Sequence, residues 1–252
     1  MRSAPQVHAL EWLTARPIAH RGLHDRSNGV IENTATAFAR AIAGGYAIEC
    51  DLQITKDSEA VVFHDERLER LTTAEGRVKD RTAADMRQVA IRGSSDHVQS
   101  LPELLAQVDG KAPLVIELKS HWDGNDALVR RALDVLRDYS CPHCLMSFDP
   151  GMIAAVKVLS PKTARGIVAD RGFDDEYNIL PMPKRLELRS FSHLARTAPH
   201  FISFYFRDLP FAPVTEFRRT GNPVITWTIQ SAEQAAEARR FSDQITFEGF
   251  AA

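Results

Sequence analysis

The sequence predicts a (β/α)8 TIM barrel on three grounds. Short β-branched or aromatic runs alternate with helix-period stretches, eight βα units can be counted, and 252 residues is the length of one such barrel. In order, the candidate strands are Pro17–Arg21, Ala47–Thr55, Ala60–His64, Pro113–Lys119, Cys144–Phe148, Ala164–Ala169, Phe201–Phe206, Pro223–Ile229 and Gln244–Glu248. Between them lie helix candidates at Thr34–Ala43, Asp126–Tyr139, Met152–Leu159, Leu209–Thr220 and Ala232–Phe241. Within Asp126–Tyr139, Leu128, Ala132, Val135 and Leu136 recur at helical spacing, with Arg130, Arg131 and Asp134 opposite.

Only Lys56–Glu59 separates the second and third strands, and a parallel crossover needs about a dozen residues. These two runs read as a hairpin extending the second barrel strand, which leaves eight units. A doubly wound sheet would want a Gly-rich phosphate turn after the first strand, and Arg21-Gly22-Leu23-His24 is not one. The alternation lapses at Asp65–Leu101, a polar stretch with a short helical signal at Ala83–Val89. It is expected to be a small insertion on the loop side of a single catalytic domain spanning residues 1–252.

Composition narrows the function. Lys and Arg total 31 against 33 Asp and Glu, a formal net charge of −2, which argues against a general nucleic-acid binder. No apolar run approaches the roughly 18 residues of a membrane span. Met1–Arg16 lacks a signal-type apolar core, and three cysteines make no disulfide framework. A cytoplasmic enzyme is the expectation.

In a barrel the chemistry sits where strands end. Strand one ends in His20-Arg21-Gly22, strand two carries Glu49 and Asp51, and the returning hairpin arm ends in His64-Asp65. The fourth run ends Glu117-Leu118-Lys119, and Trp227 lies in the eighth. Glu49 and Asp51 share one strand face, Ile48, Cys50 and Leu52 the other, and Glu117 shares its face with Val115 and Lys119. With apolar residues toward the helices, the carboxylates point to the barrel axis, where they must pair or bind a cation. Three oxygen donors suit a hard divalent ion, Mg2+ or Ca2+, better than zinc. His20 and His64 are the proton-transfer candidates, and Arg21 and Lys119 supply fixed charge for phosphate oxygens. Trp227 is either a flat apolar wall or core packing. His8, His24, His97, His121, His143, His193 and His200 read as structural or surface residues.

The ordered set His20-Arg21-Gly22, Glu32-Asn33-Thr34, Glu49-x-Asp51, His64-Asp65, Glu117-x-Lys119, Ser147-Phe148 and Trp227-Thr228 resembles the glycerophosphodiester phosphodiesterase family, from about Pro17 to the C-terminus. The resemblance implies a phospholipase-C-like TIM barrel with a small insertion after the His-Asp motif. It also implies one divalent metal on Glu49, Asp51 and Glu117, and His20 and His64 as catalytic pair. Arg21 and Lys119 would bind phosphate, and Glu32 and Asn33 would shape the first loop. The implied reaction is hydrolysis of a glycerophosphodiester to sn-glycerol 3-phosphate and an alcohol, which belongs to lipid and glycerol metabolism. Three positions depart from the usual pattern: Ile31 in place of Pro, Gln230 in place of Asn, and a last strand ending Thr246-Phe247-Glu248 rather than Thr-Asp.

Other readings are weaker. A lysophospholipid or sphingolipid phosphodiesterase would want an apolar rim, for which Phe204, Tyr205, Phe206, Leu209 and Phe211 are the candidates. A non-catalytic barrel would have lost metal or His positions, and an amidohydrolase would want His-x-His on strand one. Cys141-Pro142-His143-Cys144 copies a disulfide-oxidoreductase motif but runs into a strand instead of opening a helix. Gly93-Ser94-Ser95 is too short for a phosphate loop.

Overall fold

The computed structural model of the chain describes residues 10–172 and 175–252, so His8 lies outside the described residues. The order begins α1 (Glu11–Thr14), β1 (Ile18–Ala19), α2 (Ala35–Ala43), β2 (Ala47–Ile54), β3 (Ala60–Val62), α3 (Ala83–Gln88), α4 (Leu101–Val108) and β4 (Leu114–Leu118). It continues α5 (Ala127–Leu136), β5 (His143–Ser147), α6 (Pro150–Leu159), β6 (Arg165–Ala169), α7 (Met182–Ser190), α8 (Leu194–Thr197) and β7 (Phe201–Tyr205). The chain ends through α9 (Ala212–Arg219), β8 (Val224–Ile229), α10 (Ala232–Ala238) and β9 (Gln244–Phe247).

Strands β1, β2 and β4 to β9 pair in parallel, and β1 bonds both β2 and β9, closing an eight-stranded barrel. The extra strand β3 turns back antiparallel on β2, with Ile54 opposite Ala60 and Leu52 opposite Val62. That is the expected hairpin. It carries the chain back down from its tip, so that the next residues return to the height of Asp51, whose carbonyl accepts from the Phe63 N–H at 3.0 Å.

The alternation of faces is as the sequence reads. Ile48, Cys50, Leu52, Ile116 and Leu118 pack under the helices with Phe38, Leu104 and Leu128. Ala47 and Val115 join Ile18, Met146, Val168, Phe201 and Ile225 in a separate cluster that fills the barrel floor. Above that floor the inward positions of β2 and β4 are Glu49, Asp51 and Glu117. One position needs the absence of a side chain: a Cβ on Gly166 would meet the Phe201 ring at 2.3 Å.

Strand β1 is shorter than predicted because the chain turns sharply just beyond it. Arg21 and Gly22 both take left-handed backbone (φ 53 and 78), and a Cβ on Gly22 would strike the backbone of Ala37 at 2.9 Å. Four helices were not foreseen, and two of them, α1 and α8, span only four residues each, too short for a periodic signal. α4 has its apolar residues at Leu101, Leu104, Leu105 and Val108, but it abuts the insertion and is only eight residues long. α7 buries none of its residues, so it carries no amphipathic signature to detect.

The stretch between β3 and α4 is not a loose loop. Leu68, Leu71, Val78, Met86, Ile91 and Val98 pack with Ile31, Val61 and Phe63 into a small core of their own. A capping box at Thr82 starts α3, and isolated bridges join Arg67 to Arg77 and Thr72 to Ile91. The Cys-Pro-His-Cys segment enters β5 as expected. Cys144 is buried in the barrel floor, and burial pushes its thiol well above the usual range, the opposite of a reactive thiolate.

Candidate active site

The register of β2 against β4 sets Asp51 opposite Glu117, with Glu49 one inward step below Asp51. Glu49, Asp51 and Glu117 each offer an oxygen within 4.8 Å of the others, and all three are buried. Burial holds the Glu49 carboxyl well above its usual range, reinforced by the charges of Asp51 and Glu117. Burial acts the same way on Asp51, but Lys119, His64 and Arg21 outweigh it and hold that group below its usual range. Burial and two neighbouring carboxylates together push one carboxyl of the cluster toward neutrality, so an added positive charge there would be favourable. The cluster's all-oxygen donor set fits a hard divalent cation.

Two cations and an amide organise the cluster. Lys119 Nζ lies 2.6 Å from Glu117 Oε1 and 2.8 Å from Asp51 Oδ1. The Arg21 backbone N–H donates to Glu49 Oε2 at 2.9 Å, and its guanidinium reaches Glu32 Oε1 at 2.7 Å and Asp51 Oδ2 at 3.4 Å. Asn33 donates Nδ2–H to Asp51 Oδ2 at 2.8 Å and accepts the Asp51 N–H at 3.2 Å, so one side chain fixes both the carboxylate and its strand. Asn33, like Arg21, has positive φ (57), a conformation that costs roughly 1–3 kcal/mol per non-glycine residue and gathers at functional sites. Burial opposes ionisation of Glu32, but Arg70 and Arg21 hold its carboxyl down at about 2.

Both sequence-selected histidines stand at this cluster. His20 Nδ1 lies 2.7 Å from Glu248 Oε2, and His64 Nδ1 lies 2.7 Å from Asp65 Oδ1. Nε2 of each ring is therefore the nitrogen left for other chemistry. Burial lowers the affinity of His20 for a proton, partly offset by Glu248. Trp227 donates its indole N–H to the Ser203 carbonyl at 3.2 Å and packs edge-on against Phe148, so it is both packed and part of the wall.

His20, Arg21, Glu49, His64, Glu117, Lys119 and Trp227 all line one cavity of about 1240 Å³ at the C-terminal ends of the strands. Asp51 and Asn33 lie fully buried behind that lining, and Glu32 is held beside it by Arg21 and Arg70. A second cavity of about 1290 Å³ is lined by Trp12, His143, His200 and Pro223 near the starts of strands and by residues of α5 such as Arg131, and among the described residues it has no carboxylate cluster. Of the five candidates for an apolar rim, Phe204 is buried and stacked on Phe211, while Tyr205, Phe206, Leu209 and Phe211 are half-buried, Leu209 and Phe211 packing on the Phe204 cluster.

Sequence reasoning missed three contributors. Arg70, from the insertion, forms bonds to both Glu32 and Asp65. Glu248 holds His20, and His24, read as structural, lies 3.4 Å from Glu248. The position of Glu248 at a strand end was the available signal.

A closed parallel barrel whose mouth gathers carboxylates, two imidazoles and two cations around one cavity has the equipment of a hydrolase acting on an anionic ester. Comparison with known proteins makes this specific. The model of the glycerophosphoryl diester phosphodiesterase family matches residues 20–244. A glycerophosphodiester phosphodiesterase of Caldanaerobacter subterraneus is 29% identical over 226 residues, covering 86% of each chain. Among solved structures, an Oleispira antarctica phosphodiesterase in complex with the product sn-glycerol-3-phosphate superimposes with a TM-score of 0.77 at 20% identity, covering 94% of each chain. A glycerophosphodiester phosphodiesterase of Parabacteroides distasonis gives 0.73 at 20% identity and 92% coverage of each. These last two likenesses are of fold. The chain belongs to the glycerophosphoryl diester phosphodiesterase family, and its reaction is the hydrolysis of glycerophosphodiesters.

Proposed function

We propose that the chain cleaves glycerophosphodiesters to sn-glycerol 3-phosphate and an alcohol with the help of one divalent ion, Mg2+ or Ca2+, and with His20 and His64 as the proton-transfer pair. The observation that carries this reading is the buried Glu49–Asp51–Glu117 cluster, its oxygens within 4.8 Å, of which Glu49 and Glu117 line the same cavity as both histidines and Asp51 lies directly behind them. Glu49, Asp51 and Glu117 would hold the ion, which when bound neutralises charge that builds on phosphate oxygens.

The protein's own residues do the rest. Arg21 and Lys119 bind the remaining phosphate charge, Trp227 gives the substrate a flat wall, and Glu32 and Asn33 keep the first loop in shape. An oxygen nucleophile, water or the neighbouring glycerol hydroxyl, forms a bond to phosphorus as the bond from phosphorus to the alcohol oxygen breaks. One imidazole takes the nucleophile's proton and the other delivers a proton to the departing alkoxide. Attack by the glycerol hydroxyl gives a cyclic phosphate, which water then opens.

The test is release of glycerol 3-phosphate from glycerophosphocholine before and after chelation, with Mg2+ or Ca2+ added back. Activity indifferent to chelation would remove the metal from the reading. Lysophosphatidylcholine is the control substrate, because Ile179, Met182 and Leu186 beyond β6 are exposed apolar side chains. The expected result is turnover of glycerophosphocholine and none of the lysolipid. No helix among the described residues is long and apolar enough to cross a membrane.

A further inference from the structure

His20 leaves β1 where the barrel closes, and its backbone N–H donates to the Phe247 carbonyl on β9 at 2.9 Å. The same closure brings the next residue, Glu248, against the imidazole, with Oε2 2.7 Å from Nδ1. Glu248 is itself held by two hydrogen bonds and has a second imidazole nearby. Gln230, just beyond β8, donates Nε2–H to the other oxygen at 2.8 Å, the Glu248 backbone N–H donates to the Ile229 carbonyl at 3.0 Å, and His24 Nε2 lies 3.4 Å from Oε2. Among the described residues its ion-pair partners are imidazoles only, with no lysine or arginine.

A carboxylate in this setting stays ionised, and an ionised carboxylate only accepts hydrogen bonds. The short contact therefore places the proton of a neutral His20 on Nδ1 and leaves the lone pair on Nε2. A free imidazole populates both tautomers and turns about its ring torsion, and only one combination presents a usable nitrogen to the cavity. We propose that Glu248 is a positioning residue for His20: it selects the Nδ1–H tautomer, fixes the ring plane and aims Nε2 at the phosphodiester. This rests on the reading of His20 as a proton-transfer residue. It gives Glu248 a role through His20, without contact with substrate.

The test pairs steady-state kinetics with ¹⁵N NMR of the histidine rings in the intact chain, at a pH where His20 is neutral. Wild-type protein is expected to show His20 protonated at Nδ1. In E248A the ring is expected to shift toward the Nε2–H form, with kcat about 10-fold or more lower and KM within about twofold. E248D keeps the carboxylate on a shorter arm and is expected to recover part of kcat and of the Nδ1–H signature; it also serves if E248A fails to fold. Wild-type kcat in E248A, or an Nε2–H tautomer in the wild type, would overturn the proposal. The NMR result does not depend on substrate. A wild-type enzyme that turned over no glycerophosphodiester would thus defeat the functional reading and leave the tautomer assignment to be judged on its own.

Discussion

Two histidines approach one carboxylate cluster from different flanks, each presenting Nδ1 to a carboxylate oxygen at 2.7 Å, yet the two flanks are built differently. On the His20 flank the carboxylate is 228 residues away and is braced by neutral or imidazole groups, Gln230 and His24. On the His64 flank the carboxylate is the next residue, Asp65, and Arg70 grips it with bonds of 2.5 and 2.9 Å. Arg70 also bonds Glu32, which bonds Arg21, so the His64 flank reaches that phosphate-binding candidate through side-chain hydrogen bonds, whereas His20 is joined to it as its neighbour in the chain. The same local device, a carboxylate that fixes an imidazole, is thus anchored once by barrel closure and once by an insertion.

The largest expected effect comes from the group both flanks share. Asp51 meets Asn33, Arg21 and Lys119 at once, and D51N should lose about 10³-fold or more in kcat/KM along with metal uptake measured by calorimetry, since several kcal/mol of charge stabilisation go with it. Next, H20A and H64A should each lose on the order of 10²-fold in kcat. Near-normal turnover in either variant would strike that residue from the proton-transfer pair and leave the site one-sided.

Arg70 tests whether the flanks are separate. R70A should lower kcat/KM about 10-fold by freeing Asp65 and Glu32, and its free-energy effect should add to that of E248A within about 0.5 kcal/mol, as expected for groups with no shared partner. R70A and E32Q touch one network and should fall short of additivity in the same kinetic cycle. The smallest effect on chemistry should come from the insertion core. Met86 is fully buried there, and M86A should cost about 2–5 kcal/mol of folding stability, read by thermal or denaturant unfolding, while the His20 tautomer stays unchanged.

These two flanks also mark how far the sequence reads. The His64–Asp65 pair is visible because its members are adjacent, and Glu49 with Asp51 because strand periodicity puts them on one face. The hairpin was legible because four residues cannot make a parallel crossover. Glu248 could not be matched to His20 that way, since nothing local links strand nine to strand one; the link exists only because β1 pairs with both β2 and β9. Gln230 and Glu248 both stood out as departures from the usual family residues, and in space they bond each other at 2.8 Å. Arg70 lay hidden in a polar stretch whose order comes from a few scattered apolar residues packing together, a signal with no period.

By itself the sequence determined the barrel, its hairpin and the inward face of the carboxylates, because alternation along a strand and the length of a crossover are local properties of the chain. Only the tertiary structure decided which carboxylate holds which histidine and how the insertion reaches the site. Apart from the adjacent His64–Asp65 pair, those contacts join residues that barrel closure and packing bring together, and no spacing along the chain encodes them.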